Sequence, residues 1–184
     1  MAISALGLLK TRRLGPLCLT QACGAFNDNM VKNALVVLAL FKLGTGGTGL
    51  TALAGALIIA PFVLFSAIAG QIADRFSKPR VILIAKWAEA VLMLGAAVAF
   101  VTENQTALLA LLFGLGTQAA FLSPLKYGIL PEHLADNELV AGNGAIEATT
   151  FLSILLGTVA GGALILLDNG TTLVAAAGLA FAVI

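Results

Sequence analysis

The sequence has 184 residues, of which 60% are hydrophobic and 10% charged, with a formal net charge of +1. Soluble domains carry about 25% charged residues, and a mean hydropathy of +1.04 lies far outside their range. This composition excludes a water-soluble domain and gives no sign of a nucleic-acid partner, so we predict an integral membrane protein.

Six apolar segments follow one another along the chain, and each is predicted to be a helix. A transmembrane helix needs about 20 consecutive, mostly apolar residues. Such segments occupy residues 14–41, 50–73, 80–101, 106–130 and 140–167, and a sixth begins at Thr171. None alternates polar and apolar residues as barrel strands do, and a helix satisfies its own backbone hydrogen bonds in lipid. We therefore predict an all-α membrane protein.

The sixth segment reaches Ile184 after about 14 residues, fewer than the roughly 17 that a crossing requires. We expect the chain to be cut inside this helix, so that the sequence is a fragment of a longer protein. The predicted organisation is a cytoplasmic N-terminal tail of residues 1–13, followed by a transmembrane helical bundle of residues 14–184 whose sixth helix is truncated.

The basic residues of the short loops predict the orientation of the bundle. They gather at the N-terminus, between the second and third segments and at one end of the fourth segment, and they are Lys10, Arg12, Arg13, Arg75, Lys78, Arg80 and Lys126. The opposite side carries only Lys42. Because Lys and Arg accumulate on the cytoplasmic side of a membrane protein, we predict a multi-pass protein with a cytoplasmic N-terminus.

The stretch FNDNMVKNALV, residues 26–36, places charged and amide side chains inside the first apolar segment. At about 100° per residue, one helical face carries Gln21, Asp28, Asn29, Lys32 and Asn33. A charged side chain at bilayer depth costs roughly 3 kcal/mol or more. An Asp28–Lys32 ion pair that only neutralises itself is the alternative, but it would not need the added amides. We therefore favour a wet cavity that binds a polar group.

The loop GQIADRFSKPR, residues 70–80, combines a small residue, an acid and several bases. Asp74 is placed to accept hydrogen bonds from a neighbouring helix terminus, and Ser77 is placed to cap the next helix. A simple positive-inside anchor would explain the bases but not Gly70 or Asp74. We predict a loop that locks one conformation, built from Gly70, Asp74, Arg75, Lys78 and Arg80. Glu147, in the fifth segment, is predicted to be part of this lock or of the cavity.

The third and fourth segments contain further polar residues. Lys86 and Glu89 lie three apart and are interpreted as an ion pair whose lysine extends towards the membrane surface. Gln118 and Lys126 are candidates for the cavity, with extension of Lys126 to the membrane surface as its alternative role. Pro124 is expected to loosen the fourth helix.

Two other patterns have simpler interpretations. His133 and Glu138 have the spacing of an acyltransferase His-x4-Asp motif, with Glu in place of Asp, but no soluble domain surrounds them, so we interpret the spacing as coincidence. The glycines of GTVAGG, residues 157–162, predict close helix packing, since small residues four apart let helices approach each other.

Several of these motifs resemble known families. GQIADRFSKPR resembles the loop signature of the major facilitator superfamily, Gly-x-Leu-Ala-Asp-Arg-x-Gly-Arg/Lys-Arg/Lys, from which it departs at Ile72, Ser77 and Pro79. FNDNMVKNALV, SPLKYGILPE and ELVAGNGAIEATTFL together resemble the bacterial lysophospholipid transporters of that superfamily, including forms fused to an acyltransferase and an acyl-carrier-protein synthetase. The resemblance extends over about residues 26–162.

The resemblance implies the N-terminal six-helix half of a twelve-helix transporter, built from inverted three-helix repeats. Such a secondary transporter, or flippase, moves lysophospholipids such as lysophosphatidylethanolamine across the bacterial inner (cytoplasmic) membrane to the inner leaflet, where phospholipid remodelling re-acylates them. The implied partners are the lysophospholipid, the lipid bilayer and the C-terminal half of the same protein. No enzyme activity, nucleic acid, cofactor or metal is expected, and no coupling ion is assigned. The fourth segment lacks the membrane-embedded arginine of proton-coupled antiporters, so proton exchange by that route is not expected.

The family places its cavity between the first and fourth helices, which implies a substrate site at Asp28, Asn29, Lys32, Asn33, Gln118 and Lys126. Lys32 or Lys126 would meet the lipid phosphate, and Asp28 would meet the ethanolamine ammonium or a coupling cation. The alternatives are a major facilitator transporter of another amphiphile, drug or small metabolite, and the transporter portion of a fused acyltransferase enzyme. A membrane enzyme with His133 as its base and a non-transporting scaffold are the remaining possibilities.

Overall fold

The fold is given by a computed structural model that describes residues 5–38, 41 and 48–182. Its helices, in chain order, are α1 (Ala5–Leu9), α2 (Gly15–Val37), α3 (Thr48–Arg75), α4 (Lys78–Thr102), α5 (Gln105–Gly128), α6 (Leu130–His133), α7 (Leu139–Ile165) and α8 (Gly170–Ala182). A 3-10 turn, Asp136–Glu138, precedes α7. No β-strand occurs in the described ranges, so the all-α prediction is confirmed.

Within the described residues, four helical segments are long and apolar enough to cross a membrane, judged by length and composition. They are Ala52–Arg75, Lys78–Thr102, Gln105–Leu125 and Asp136–Ile165. The helix α2 has 23 residues, enough for a crossing, but its polar residues keep it outside this group. The helix α8 has 13 residues in the described range. The structure thus supports four of the six predicted spans, and the six-span arrangement stays a prediction.

The junctions at the two ends of α4 follow from local sequence. Pro79 lies in the first turn, where its missing N–H is not needed. Ser77 occupies the capping position, but its side chain makes no capping hydrogen bond, which corrects the prediction. The reason is that Pro79 removes one of the amides that such a hydroxyl would bind. At the other end, α4 stops at Glu103, whose φ of 50° is left-handed.

Three helix pairs pack most extensively, and they are α2 with α7, α3 with α5, and α4 with α8. The α2–α7 contact depends on glycine, as predicted. A Cβ atom at Gly157 or Gly161 would overlap the backbone of Phe26 or Met30 on α2. The backbones of the two helices therefore lie in direct contact at these positions, and only glycine fits there.

The α3–α5 pair also packs closely at a glycine. A Cβ atom at Gly116 of α5 would lie 2.5 Å from the Ile58 carbonyl oxygen and 3.1 Å from Cγ of Pro61, both in α3. Pro124 also lies in α5, yet the helix continues to Gly128. The loosening expected at Pro124 therefore does not break the helix.

The N-terminal segment is packed onto the bundle through α1. Leu8 and Leu14 have no exposed surface and form a hydrophobic cluster with Leu130 and Ile146. The main hydrophobic core lies elsewhere, between α2, α4, α5 and α8, around residues such as Met93. The segment predicted as a simple tail thus contains a helix that covers the ends of α2, α6 and α7.

Candidate functional site

A cavity of about 330 Å³, called the polar cavity below, lies between α2, α4, α5 and α7. Three of its lining residues are ionisable, namely Asp28, Lys86 and Glu89. Neutral polar side chains complete the hydrophilic part of the wall, and they are Thr20, Gln21, Gln118, Ser123 and Thr150. A cavity with both signs of charge and several hydrogen-bonding groups is suited to a polar or zwitterionic ligand.

The polar face predicted on α2 is divided between two roles. Gln21 and Asp28 line the polar cavity. Asn29 Nδ2 donates to the Ala25 carbonyl of its own helix at 2.8 Å, and Asn33 Nδ2 donates to the Thr158 carbonyl of α7 at 2.7 Å. Asp28 and Gln21 are therefore placed to meet a ligand, whereas Asn29 and Asn33 make hydrogen bonds within the bundle.

Asn27 lies outside the predicted polar face and was not expected to have a role. Its side chain is fully buried, and Nδ2 donates to the Gly178 carbonyl of α8 at 3.1 Å. This hydrogen bond joins α2 to α8 next to the polar cavity.

One wall of the polar cavity is formed by α4 and α5. Lys86 Nζ pairs with Glu89 Oε2 at 3.1 Å, which confirms the predicted ion pair. Gln118 Nε2 donates to the same carboxylate oxygen at 3.1 Å. Glu89 is 1% exposed, so its carboxylate is almost completely buried by these contacts and the surrounding helices. This arrangement fixes the Glu89 carboxylate against the wall of the cavity.

Lys86 extends across the polar cavity towards α2. A Cβ atom at Gly24 would lie 3.3 Å from Lys86 Nζ, so glycine leaves room for the ammonium group. Lys86 attracts both Asp28 and Glu89 electrostatically, and the two carboxylates repel each other. The expected extension of Lys86 to the membrane surface is wrong, because its ammonium pairs with Glu89 and lies against Gly24 of α2.

Several buried oxygen atoms around the polar cavity have no hydrogen-bond partner among the described residues. They are Asn27 Oδ1, Asp28 Oδ1, Glu89 Oε1, Gln118 Oε1 and Thr150 Oγ1. An unpaired buried acceptor is costly. Four of these five atoms can only accept a hydrogen bond. These buried acceptors beside the cavity would be satisfied by a group that carries donors, such as an ammonium.

The charged residues lie deep in the bundle. Glu89 is eleven residues from the start of α4 at Lys78, which corresponds to about 16 Å at 1.5 Å per residue. Half of a hydrocarbon core is about 15 Å thick. The carboxylate thus lies about half the thickness of a hydrocarbon core from that end of α4.

The two lysines chosen from the sequence, Lys32 and Lys126, have different outcomes. Lys32 attracts Asp28 electrostatically, but it is not one of the residues that line the polar cavity. The side chain of Lys126 lies outside what the structure describes. Lys86 is therefore the described cation on the cavity wall. Lys86 was not assigned to the site from the sequence, because Glu89 three residues away made a local ion pair the simpler interpretation. The signal that could have found it is its charge, since any ionisable residue at bilayer depth is a functional candidate.

The predicted lock loop makes one ion pair with a neighbouring element. Lys78 Nζ pairs with Glu132 Oε1 on α6. Asp74 and Arg75 are exposed, and no ion pair to either is found in the part of the chain that the structure describes. Glu147 is exposed on α7. A role for these residues, and for Gly70, in a lock stays a prediction.

A second ion pair joins the N-terminal segment to the turn before α7. Arg13 Nη1 and Nη2 donate to the two carboxylate oxygens of Glu138 at 3.0 and 3.1 Å. Glu138 Oε2 also accepts the Ala135 amide at 3.1 Å. Sequence reasoning missed this pair, since 125 residues separate its members.

The same geometry opposes a catalytic role for His133. Its Nδ1 lies 3.1 Å from the Ile129 carbonyl of its own helical turn, and Glu138 is held by Arg13. The two residues of the acyltransferase-like spacing thus have separate partners, in agreement with the interpretation as coincidence.

Comparison with known proteins gives a consistent result. Over 144 residues the chain is 38% identical to the lysophospholipid transporters LplT of Salmonella arizonae, Escherichia coli strain K12 / DH10B and Shigella boydii serotype 18. Over this stretch the chain is similar to the lysophospholipid transporters. The matched stretch is 78% of this chain and 34% of each relative.

The resemblance inferred from the motifs is thereby confirmed, and the chain spans about a third of the length of the curated relatives it matches. No family model matches the chain. No solved structure matches it either.

Proposed function

We propose that this chain forms the N-terminal half of a secondary transporter that carries lysophospholipids to the inner leaflet of the bacterial cytoplasmic membrane for re-acylation. The observation that carries the proposal is a deep polar cavity in which Asp28 and Glu89 face Lys86. A zwitterionic headgroup has one ammonium and one phosphate, so its charges complement this wall. The names of the relatives support a lysophospholipid as the cargo.

The packing of the helices supports a six-helix half made of inverted repeats. If α2, α3 and α4 form the first repeat, α5, α7 and α8 form the second. In this arrangement α2 corresponds to α5, α3 to α7 and α4 to α8. Exchanging the two repeats therefore converts the α2–α7 pair into the α5–α3 pair and leaves the α4–α8 pair unchanged. These are the three pairs that pack most extensively, as expected for a pseudo-two-fold axis between the repeats.

The headgroup would bind with its ammonium at the carboxylates and its phosphate at a lysine. The unpaired oxygens Asp28 Oδ1 and Glu89 Oε1 are acceptors for the ammonium. Lys86 takes the phosphate, because its ammonium lies on the cavity wall. Lys32 and Lys126 then serve further along the path of the headgroup. Only the headgroup needs this polar path, since the acyl chain is stable in lipid.

Transport would follow from rocking of this half against the C-terminal half of the same protein. The N-terminus, the loop at residues 76–77 and α6 would lie on the cytoplasmic side. There the Lys78–Glu132 and Arg13–Glu138 pairs join neighbouring elements. Both would stabilise the conformation in which they form, together with Asp74 and Arg75 of the predicted lock loop.

The test replaces Asp28 by Asn in the natural protein and measures lysophosphatidylethanolamine uptake into spheroplasts. Asp28→Asn keeps the shape of the side chain and removes its charge, so uptake should fall at least about tenfold if an ion pair with the headgroup is lost. Asp168→Asn, the same change at an exposed position, is the control and should keep normal uptake. Undiminished uptake by Asp28→Asn at normal membrane abundance would contradict the proposed site.

Cargo selectivity is tested separately by competition. Lysophospholipids should inhibit the uptake of one another, and cationic drugs should not. Inhibition by cationic drugs at similar concentrations would instead favour a transporter of another amphiphile or drug.

A further inference from the structure

A second concavity, called the apolar groove below, lies on the outside of α4 and α5 next to the end of α3. Its volume is about 1080 Å³. Its walls are mostly hydrophobic and include Phe76, Ile84, Val91, Phe113 and Phe121. Among the described residues that line it, Arg80 is the one that carries a charge. An apolar groove with a cation at one end matches a lipid with an anionic headgroup.

The length of the apolar groove corresponds to one leaflet of a membrane. Along α4 its lining extends from Arg80 to Leu92, which is about 18 Å at 1.5 Å per residue. A single leaflet contributes about 15 Å of hydrocarbon. Arg80 lies at the end next to the basic loop, where lipid phosphates would be located.

The apolar groove and the polar cavity meet at one side chain. Gln118 lines both of them. Its Nε2 is bonded to Glu89 on the cavity side, while Thr117 and Phe121 of the same helix face the groove. A lipid in the groove with its phosphate at Arg80 therefore has the deeper part of its acyl chain beside Gln118, a single side chain away from the polar cavity.

We propose that the apolar groove binds the acyl chain of a single-chain phospholipid in the leaflet next to the basic loop, with the phosphate at Arg80. The groove is the position that the lipid occupies in that leaflet when its headgroup is not bound in the polar cavity. This inference rests on the proposed function. The charge of Arg80, the one-leaflet length and the continuity with the polar cavity identify the occupant.

The experiment uses the natural protein in membranes and a lysophosphatidylethanolamine with a photoreactive diazirine at the end of its acyl chain. After irradiation, mass spectrometry locates the labelled residues. The label should fall on the walls of the groove in α4 and α5. Arg80→Gln should weaken this labelling about tenfold, since a charge-assisted contact is lost. Ala88→Trp, which fills the groove, should abolish it.

Two matched variants control for loss of the fold. Arg12→Gln makes the same chemical change as Arg80→Gln at an exposed position outside the groove. Val98→Trp adds bulk, as Ala88→Trp does, at an exposed position of α4 beyond the groove. Both should keep the labelling of the parent protein.

The remaining outcomes distinguish the inference from the proposed function. Uptake that persists in the parent protein with labelling outside α4 and α5 would overturn the groove and leave the proposed function intact. Displacement of the probe by diacyl phosphatidylethanolamine as readily as by lysophosphatidylethanolamine would also overturn it, because the groove would then be a general lipid contact. Absence of both uptake and labelling would overturn the two proposals together.

Discussion

Glu89 depends on two neighbours for its stability in the interior of the bundle. Its carboxylate is 1% exposed and is contacted by Lys86 and Gln118, each at 3.1 Å. Removing one partner of a buried ion pair costs about 3–5 kcal/mol, because the remaining charge is left without compensation. The stability of the folded protein therefore depends on keeping the buried charge of Glu89 paired with Lys86.

This linkage predicts unequal effects of two substitutions. Lys86→Met leaves the Glu89 carboxylate buried without its cation and should destabilise the protein by about 3 kcal/mol. Glu89→Gln keeps a hydrogen-bonding side chain, and Lys86 keeps the electrostatic attraction of Asp28, so its effect should be smaller. The double variant should be more stable than Lys86→Met alone. Thermal unfolding in detergent measures all three, and a double variant less stable than Lys86→Met would refute the linkage.

The residue scale also marks the limit of prediction from sequence. Helical geometry alone placed Asp28 on a polar face, and the structure puts it on the cavity wall. The same geometry cannot say that Asn29 bonds to its own helix or that Asn33 bonds to α7. Those choices depend on side-chain rotamers and on neighbours distant in sequence. Lys86 was misjudged because its direction across the cavity depends on the space left by Gly24.

At the scale of the helix, the α2–α7 contact is set by glycines. The sequence pattern predicts close packing, and the structure adds the partner: Gly161 lies against the Met30 carbonyl of α2. Since both groups are backbone, neither can move aside without shifting a helix.

A matched pair of substitutions on α7 tests this contact. Gly161→Ala should destabilise the protein by about 1–3 kcal/mol, the usual cost of overpacking. Gly144→Ala places its new methyl group in open space, since no atom of a neighbouring element lies within 4 Å of that position, and should be neutral or slightly stabilising. Thermal unfolding of the two variants gives the comparison. Equal stability of both variants would show that the helices are not in backbone contact at Gly161.

The ion pair between α4 and α6 gives a second prediction for an element. The side chains of Lys78 and Glu132 are 25% and 49% exposed, so their coupling should be only about 0.2–1 kcal/mol. Lys78→Glu should weaken the junction, and the exchanged pair Lys78→Glu with Glu132→Lys should recover most of the loss. A double-mutant cycle measures this coupling. Failure of the exchanged pair to recover stability would mean that the pair does not stabilise the junction.

Helix positions were predictable to a large extent, since long apolar segments have few alternatives in lipid. The predicted segment 80–101 corresponds to α4, and 140–167 corresponds to α7. The short helices α1 and α6 were not predicted. Their sequences are too short to signal a helix, and contacts such as Leu8 with Leu130 hold them in place.

At the scale of the whole molecule, the proposed transport depends on a hydrophilic interior within a lipid-facing exterior. Exposed apolar side chains such as Val63 of α3, Trp87 of α4 and Phe151 of α7 cover the outside. The ionisable groups Asp28 and Glu89 lie inside. The composition predicts that such a division exists. Which residues form the cavity wall depends on how α4 and α5 pack against α2, and the sequence does not show that packing.

The most direct test of this division measures whether water and substrate reach the polar cavity. In the natural protein with Cys18→Ala and Cys23→Ala, a single cysteine is placed either at Gln21, on the cavity wall, or at Leu19, which is exposed on the outside of α2. We predict that a membrane-impermeant maleimide labels Gln21→Cys but not Leu19→Cys, and that lysophosphatidylethanolamine protects Gln21→Cys. Equal labelling at both positions, or labelling at Gln21→Cys that the lipid does not reduce, would contradict a water-accessible headgroup site.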